Sequence, residues 1–211
     1  MTTTTRSDQV AARRAELLEA AHRVVLERGL ANTRVADVAK ATDVSGGLIH
    51  YHFATKDVLL TEMMRAAAAA DIKRAQQIAG GRGTAVERLD KVLRHYMPAP
   101  GDDQSWLLWI DGWGAGLRDP ALAAISEELD VAWVEVLESV VRDGQESGEF
   151  TCDDPTAVAV RLAALLDGLG VRYTLSRSMS RKQLLEHARV AAALELGLDR
   201  SVFTTATRTT R

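Results

Sequence analysis

The sequence predicts an all-α protein, with an N-terminal three-helix domain that holds a helix-turn-helix pattern, followed by a larger C-terminal helical domain. Three observations carry the helical part of that expectation. Ala and Leu are abundant and aromatic residues make up only 5 % of the 211 residues, a balance that favours helices because neither Ala nor Leu loses much freedom in one. Apolar residues recur at three-to-four spacing, and no alternating strand pattern or internal repeat is found. Serine, threonine or aspartate stands before most of these periodic segments, where a capping oxygen belongs.

The elements follow in order. Ser7 is the expected cap of the first helix, with Asp8 favourable in its first turn. Val10, Leu17, Ala21, Val24 and Val25 mark its apolar stripe, and Gly29 closes it. Thr33 opens a short second helix to Ala41, residues 42–44 read as a tight turn, and Ser45 caps a third helix to about Phe53. Thr55 caps a long fourth helix to about Ala79, which the run Gly80-Gly81-Arg82-Gly83 breaks. Further helices are expected over residues 84–97, 103–117, 120–147, 155–177 and 181–198. Asp119-Pro120 and Asp154-Pro155 each place a capping carboxylate before a first-turn proline, and Ser180 with Gln183 matches a capping box. The Thr/Arg-rich segment 204–211 reads as frayed.

Composition narrows the setting. Cys152 is the only cysteine, so one chain can build neither a disulfide framework nor a cysteine-based zinc site, which fits the cytoplasm. Residues 1–7 carry no apolar run and do not read as a signal peptide. No uncharged apolar stretch approaches the roughly 18 residues of a membrane span, so no membrane partner is expected. The net charge of −3 hides an asymmetry: residues 1–56 hold eight Lys/Arg against six Asp/Glu, and residues 57–211 hold eighteen against twenty-three. A mildly basic head on an acidic body suits a polyanion at one end. The domain boundary is placed after Lys56, with 1–56 as the head and 57–211 as the body.

Residues 33–53 hold two short helices about three residues apart, and Val35, Val38, Ala39, Val44 and Ile49 are spaced to pack them together. In that arrangement a second helix can lie in a major groove. The remaining surface, Ser45, Gly46, Gly47, His50 and His52, is polar or small. Each glycine at a helix start costs up to about 1 kcal/mol against alanine, so two together suggest a close approach to the backbone. The residues alone also allow an ordinary helix corner with a solvated polar face. The stretch TRVADVAKATDVSGGLIHYHFATKDVLL, residues 33–60, closely resembles the DNA-binding segment of TetR/AcrR-type regulators. The matching features are Thr33-Arg34, Val44-Ser45, Tyr51-His52-Phe53 and Thr55-Lys56, and with the first helix the resemblance covers about residues 8–62.

The resemblance implies a homodimeric repressor of palindromic double-stranded operator DNA, released when a small molecule enters the C-terminal domain. It implies DNA contacts at Thr33, Ser45, Gly46, Gly47, Leu48, His50, Tyr51, His52 and Lys56. Lys56 would bring charge to a phosphate, Thr33, Ser45 and Tyr51 hydroxyls to phosphate oxygens, Leu48 a methyl contact to thymine, and His50 a base edge or phosphate. Phe53 and Ile49 read as core. Many relatives carry a long polar residue where Gly46 stands and Thr where Leu48 stands, so discrimination here would lean on methyl contacts and DNA shape.

In the body, residues 155–177 are apolar nearly all round, which marks a helix buried on several sides. The resemblance implies a dimer built from the last two long helices, and Leu162, Leu165, Leu166, Leu169, Leu184, Leu185, Ala188, Ala191, Ala192 and Leu194 are the expected core. Trp106, Trp109, Ile110, Trp113 and Leu117 share one helix face, read either as core or as a wall for an aromatic or cationic effector. Tyr96, Met63 and Met64 are its expected neighbours. Asp167 has no basic residue one turn away and needs an indole N–H, a tyrosine, an arginine, water or a ligand. A structural hydrogen bond and an effector contact both remain open for it. An enzyme finds little support: no serine, nor Cys152, has a recognisable triad partner, and His50 and His52 point to nearly opposite sides of a helix and cannot chelate one metal. No catalytic residue, metal or cofactor is expected. A helical scaffold with a vestigial helix-turn-helix is the other alternative.

Overall fold

The computed structural model describes residues 5–99, 105–176 and 178–203. Nine helices, and no strand, occur among the described residues: α1 (Arg6–Arg28), α2 (Val35–Thr42), α3 (Gly46–His52), α4 (Lys56–Ala79), α5 (Ala85–Tyr96), α6 (Ser105–Gly116), α7 (Pro120–Glu146), α8 (Pro155–Ser176) and α9 (Arg181–Glu195). The succession expected from periodicity holds, with ends that differ by three residues or fewer. The segment 204–211 lies outside the described residues. The chain divides into two compact units, Met1–Ala69 with Leu107–Glu127, and Ala70–Trp106 with Glu128–Arg211.

Capping oxygens set most of the helix starts. Ser45 accepts from the Leu48 N–H (3.2 Å), Thr55 from Val58 (3.2 Å), Asp119 from Ala121 (2.9 Å) and Asp154 from Ala157 (3.0 Å). Thr84 with Glu87 and Ser180 with Gln183 close reciprocal boxes. Two caps differ from expectation. Thr5, not Ser7, caps α1, because Asp8 stands three residues on from Thr5 and completes a box with it. At α2 the capping position is Arg34, whose N–H donates to the Asp37 carboxylate (3.0 Å). Thr33 lies one residue before it.

In the first unit α1 buries Leu17, Ala20, Ala21, Val24 and Val25, and α2 and α3 add Val38, Ala39 and Ile49. Val10 is exposed and does not join the buried stripe. The corner between α1 and α2 turns on Gly29, whose φ of +79° favours glycine. Beyond it the Leu30 N–H donates to Oδ2 of Asp111 in α6 (3.2 Å), and the Thr33 hydroxyl donates to the Gly29 carbonyl (2.9 Å). Asp43 takes a left-handed conformation (φ 52°) that ends α2, one that Asp tolerates better than most residues. Arg14 fastens the far end of α3: it donates to the His52 carbonyl (2.8 Å), pairs with Glu62 of α4 and lies 4.4 Å from the Phe53 ring centre.

In the second unit α8 packs on α9, and α9 on α5. Leu162, Leu166, Leu169, Leu184, Leu185, Ala188 and Ala192 are buried within their own chain, which corrects their assignment to a dimer core: a single chain already covers them. Asp90 of α5 is 6 % exposed. It accepts from Arg189 Nε (2.7 Å) and Nη2 (3.1 Å) and from Arg94 Nε (2.8 Å). Removing one partner of a buried ion pair leaves uncompensated charge and costs about 3–5 kcal/mol. Asp90→Ala is therefore expected to lower the unfolding free energy by about 3 kcal/mol, read from the midpoint of a urea titration. A loss below about 1 kcal/mol would mean that Arg189 and Arg94 are solvated instead.

Candidate DNA-reading head and aromatic site

The face of α3 left over after Ile49 and Phe53 enter the core consists of the expected residues. Ser45, Gly47, His50 and Tyr51 are exposed, Tyr51 at 71 %, and Gly46, Leu48, His52 and Lys56 are half-buried. A Cβ added at Gly46 would meet nothing within 4 Å, and one at Gly47 only the Ser45 hydroxyl at 3.8 Å. The backbone at the start of α3 is thus open to approach. Ser45 uses a lone pair as cap and keeps its O–H for donation. Lys56 is the first residue of α4, where the helix dipole adds positive potential. Thr33 is the exception. It is 1 % exposed and its hydroxyl is spent on Gly29, so the expected phosphate contact through that hydroxyl is corrected to a role inside the corner.

The candidate effector residues fall into both units. Met63, Met64, Trp109 and Trp113 belong to the first. Met63 and Met64 are each 1 % exposed, and Gly112 makes room for the Met64 methyl, which a Cβ there would meet at 2.4 Å. Trp109 and Trp113 are half-buried.

Tyr96, Trp106 and Asp167 come together in the second unit. The Tyr96 hydroxyl donates to Oδ1 of Asp167 at 2.6 Å, the tyrosine partner that the sequence left among several. The Trp106 ring lies 6.3 Å from that of Tyr96 and is only 6 % exposed. It rests on bare backbone of α8, since a Cβ at Gly170 would come within 2.0 Å of it. Trp133 of α7 closes a third side, with its ring 4.6 Å from Tyr96 and tilted by 60°. Asp130, one turn before Trp133, acts electrostatically on both Asp167 and Tyr96.

The titration of the group follows from burial. Desolvation pushes the Asp167 carboxyl up to about 6; the Tyr96 hydrogen bond pulls it down and the Asp130 charge pushes it further up. Burial, followed by the charge of Asp167, holds the Tyr96 phenol well above its ordinary value, so it remains a neutral donor. Burial also raises Asp130. Trp133 and Asp130 escaped the sequence reading, although their three-residue separation already puts them on one face of a long helix.

Residues 17–63 match the family model described as bacterial regulatory proteins, tetR family, and residues 85–197 match that of the BetI-type transcriptional repressor, C-terminal. The chain belongs to the TetR family. It is a transcriptional regulator with a BetI-type C-terminal half, not an enzyme. The HTH-type transcriptional regulator BetI of Burkholderia cenocepacia is 31 % identical over 175 residues, 78 % of this chain and 83 % of that protein. The HTH-type transcriptional repressor KstR2 of Mycobacterium tuberculosis is 42 % identical over 57 residues, and that match spans only 28 % of its length. Among solved structures, a transcriptional regulator from Saccharomonospora viridis in complex with choline is 29 % identical, with a TM-score of 0.76 over 85 % of this chain and 95 % of that one. A TetR-family regulator from Rhodococcus sp. is 26 % identical, with a TM-score of 0.75 over 88 % and 99 %.

For this TetR-family chain the half-buried Asp167 carboxyl has a measurable signature. Asp167 titrates higher folded than unfolded, so the native state binds the extra proton between about pH 4 and pH 6. The stability it contributes is present below the unfolded value and is lost as pH rises through about 6. Asp167→Asn keeps an acceptor for Tyr96 and removes the titration. Relative to the variant, the wild-type chain is expected to lose stability between pH 4 and pH 7, by at most roughly 3 kcal/mol. Urea unfolding at stepped pH measures this; parallel curves for the two proteins would show Asp167 to be solvated.

Proposed function

We propose that the chain is a cytoplasmic repressor that binds palindromic operator DNA as a homodimer and is released by a small cationic effector. Residues 1–56 read DNA, and residues 57–211 bind the effector and dimerise. The observation that carries the DNA part is α3, held by Ile49, Phe53 and Arg14 while its Ser45, Gly46, Gly47, Leu48, His50, Tyr51 and His52 positions form the face that is left over. Ser45, Tyr51 and Lys56 serve phosphates; Leu48 and His50 meet base edges. No helix among the described residues is long and apolar enough to cross a membrane, which fits a site of action at the chromosome.

The effector reading rests on the cluster of Tyr96, Trp106, Trp133, Asp130 and Asp167. Indole and phenol faces attract cations, by about 2 kcal/mol or more when desolvated, and two carboxylates add charge complementarity. The choline bound to the Saccharomonospora viridis regulator favours the same class of guest. Such a guest acts by preferring the arrangement of heads that cannot span the operator. Fluorescence anisotropy with DNA from the chain's own upstream region, with and without choline, tests the reading. Tight, salt-sensitive binding that choline weakens is the expected result, and indifference to DNA would end it. Lys56→Ala should weaken binding to all sequences alike and reduce the salt slope by about one unit. An unchanged slope removes Lys56 from the phosphate contacts.

The dimer face must come from apolar surface that one chain leaves uncovered. Val160, Leu165 and Leu175 of α8 and Leu194 of α9 are 49, 38, 66 and 64 % exposed, and Ala164 and Gly168 are exposed between them. Arg161 and Glu195 join the two helices by a bidentate ion pair. Leu165→Asp combined with Leu194→Asp should turn a dimer into a folded monomer in sedimentation velocity, with helical circular dichroism retained. Leu185→Asp, by contrast, should unfold the chain, because Leu185 is 6 % exposed within it. A double variant that sediments as a dimer would move the interface elsewhere.

A further inference from the structure

Arg14 of α1 grips three groups at once. Its Nη1 donates to the His52 carbonyl at the C-terminal end of α3 (2.8 Å), its Nη2 pairs with Glu62 of α4, and its guanidinium carbon lies 4.4 Å from the Phe53 ring centre. No acid stands one turn away on its own helix, where Val10, Ala11, Leu17 and Leu18 occupy the neighbouring positions. The carboxylate comes from 48 positions along the chain. Both side chains of the pair stay partly exposed, at 34 and 27 %, and an ion pair that water still reaches adds little to stability. Stability alone does not account for the arrangement.

Glu62 is also out of place electrostatically. A surface that meets a polyanion loses affinity for every carboxylate near it, and Glu62 is one guanidinium away from the backbone of α3. What the pair does have is geometry. α3 has seven residues, Gly46–His52, too few to hold a helix and its direction without outside contacts. Ser45 fixes its first turn. At the other end the Phe53 N–H returns to the Ile49 carbonyl (2.8 Å), and the carbonyls after Ile49 need donors from outside the helix. Arg14 supplies one, with a positive charge where the helix dipole is negative. A guanidinium fork has a fixed shape, so Glu62 at one prong sets where the other prong meets the His52 carbonyl.

We infer that Arg14 and Glu62 form one positioning pair for DNA reading, in which Glu62 raises operator affinity in spite of its charge by locking the end of α3 against α4. The inference rests on the DNA-reading proposal above and adds to it two residues that act through α3 rather than on DNA. A binding constellation has to be held to within about 0.5 Å by the contacts behind it. His50 and Tyr51 stand in the last turn of α3, the turn that Arg14 holds. Non-specific duplex is bound through phosphates, which carry no sequence information, and demands no such alignment.

Fluorescence anisotropy of the full-length chain tests this, with duplex from its own upstream region and with a scrambled duplex of equal length and composition, each at stepped salt. Glu62→Gln keeps the shape of the side chain and removes its charge. Arg14→Met keeps a chain over Phe53 and removes the fork. Each variant should lose about five- to tenfold in affinity for the upstream duplex, bind the scrambled duplex within about twofold of the wild type, and keep the wild-type salt slope. The double variant should lose no more than the worse single, because the two side chains act as one. Retained binding of scrambled duplex shows in the same titration that the head is folded. If instead Glu62→Gln tightens both duplexes while Arg14→Met weakens both and lowers the salt slope by about one unit, Arg14 is a phosphate contact and the positioning role is wrong. Losses that are equal on the two duplexes, or upstream affinities within about twofold of the wild type in both variants, overturn it as well. A wild type that does not prefer the upstream duplex ends the DNA-reading proposal itself. A wild-type preference that both variants keep ends only the role of the pair.

Discussion

A carboxylate that leaves water has to be met by donors, and that demand decides how the second unit is held. Asp90 sits almost wholly out of solvent and draws two guanidinium groups onto itself, one from its own helix and one from α9. The crossing of α5 and α9 is fixed by that convergence as much as by the leucines around it. Asp167 answers the same demand differently. It takes a neutral phenol, which leaves its charge only partly compensated and its proton close to exchange near pH 6. One acid is sealed by two cations and reads as structure. The other keeps unspent electrostatic capacity beside three aromatic rings.

The helices were legible because their signals are local. Ser45, Thr55, Asp119, Asp154 and Ser180 each cap the helix that follows within three residues, and a side chain that close in sequence is bound to be near in space. Thr5 and Ser7 show the limit of such reasoning. Both residue types cap well, and the choice fell to Thr5 because Asp8 is at the reciprocal spacing from it. Thr33 shows a second limit. Its hydroxyl could have faced either outward or back to Gly29, and the decision lay with a turn that residue spacing alone does not describe.

The site was legible only in pieces. Asp167 betrayed itself because a carboxylate on an apolar helix needs a partner, and tyrosine was one of the options; Tyr96, 71 residues away, could be chosen only once α5 and α8 were seen side by side. Trp133 and Asp130 gave no comparable alarm, since a tryptophan and an acid on a long amphipathic helix are ordinary there. The leucines of α8 and α9 were apolar in the right rhythm, yet rhythm does not separate a face that buries against the same chain from one that waits for another. Fractional exposure does so, and it moves Leu185 inward while leaving Leu165 and Leu194 outside.

The corner between α1 and α2 is completed by a residue far along the chain. Leu30 donates its backbone N–H to Asp111, 81 positions later, and α6 carries that acceptor within the same compact unit as the first three helices. A reading head cut out at residue 56 would keep every side chain on the face of α3 and still lack the acceptor that finishes its first turn. Transplanting the head onto another sensor is therefore a question of whether the host brings its own carboxylate to that N–H. Grafts that include a helix equivalent to α6 will carry the corner intact, and grafts that stop short will leave a backbone donor to find water.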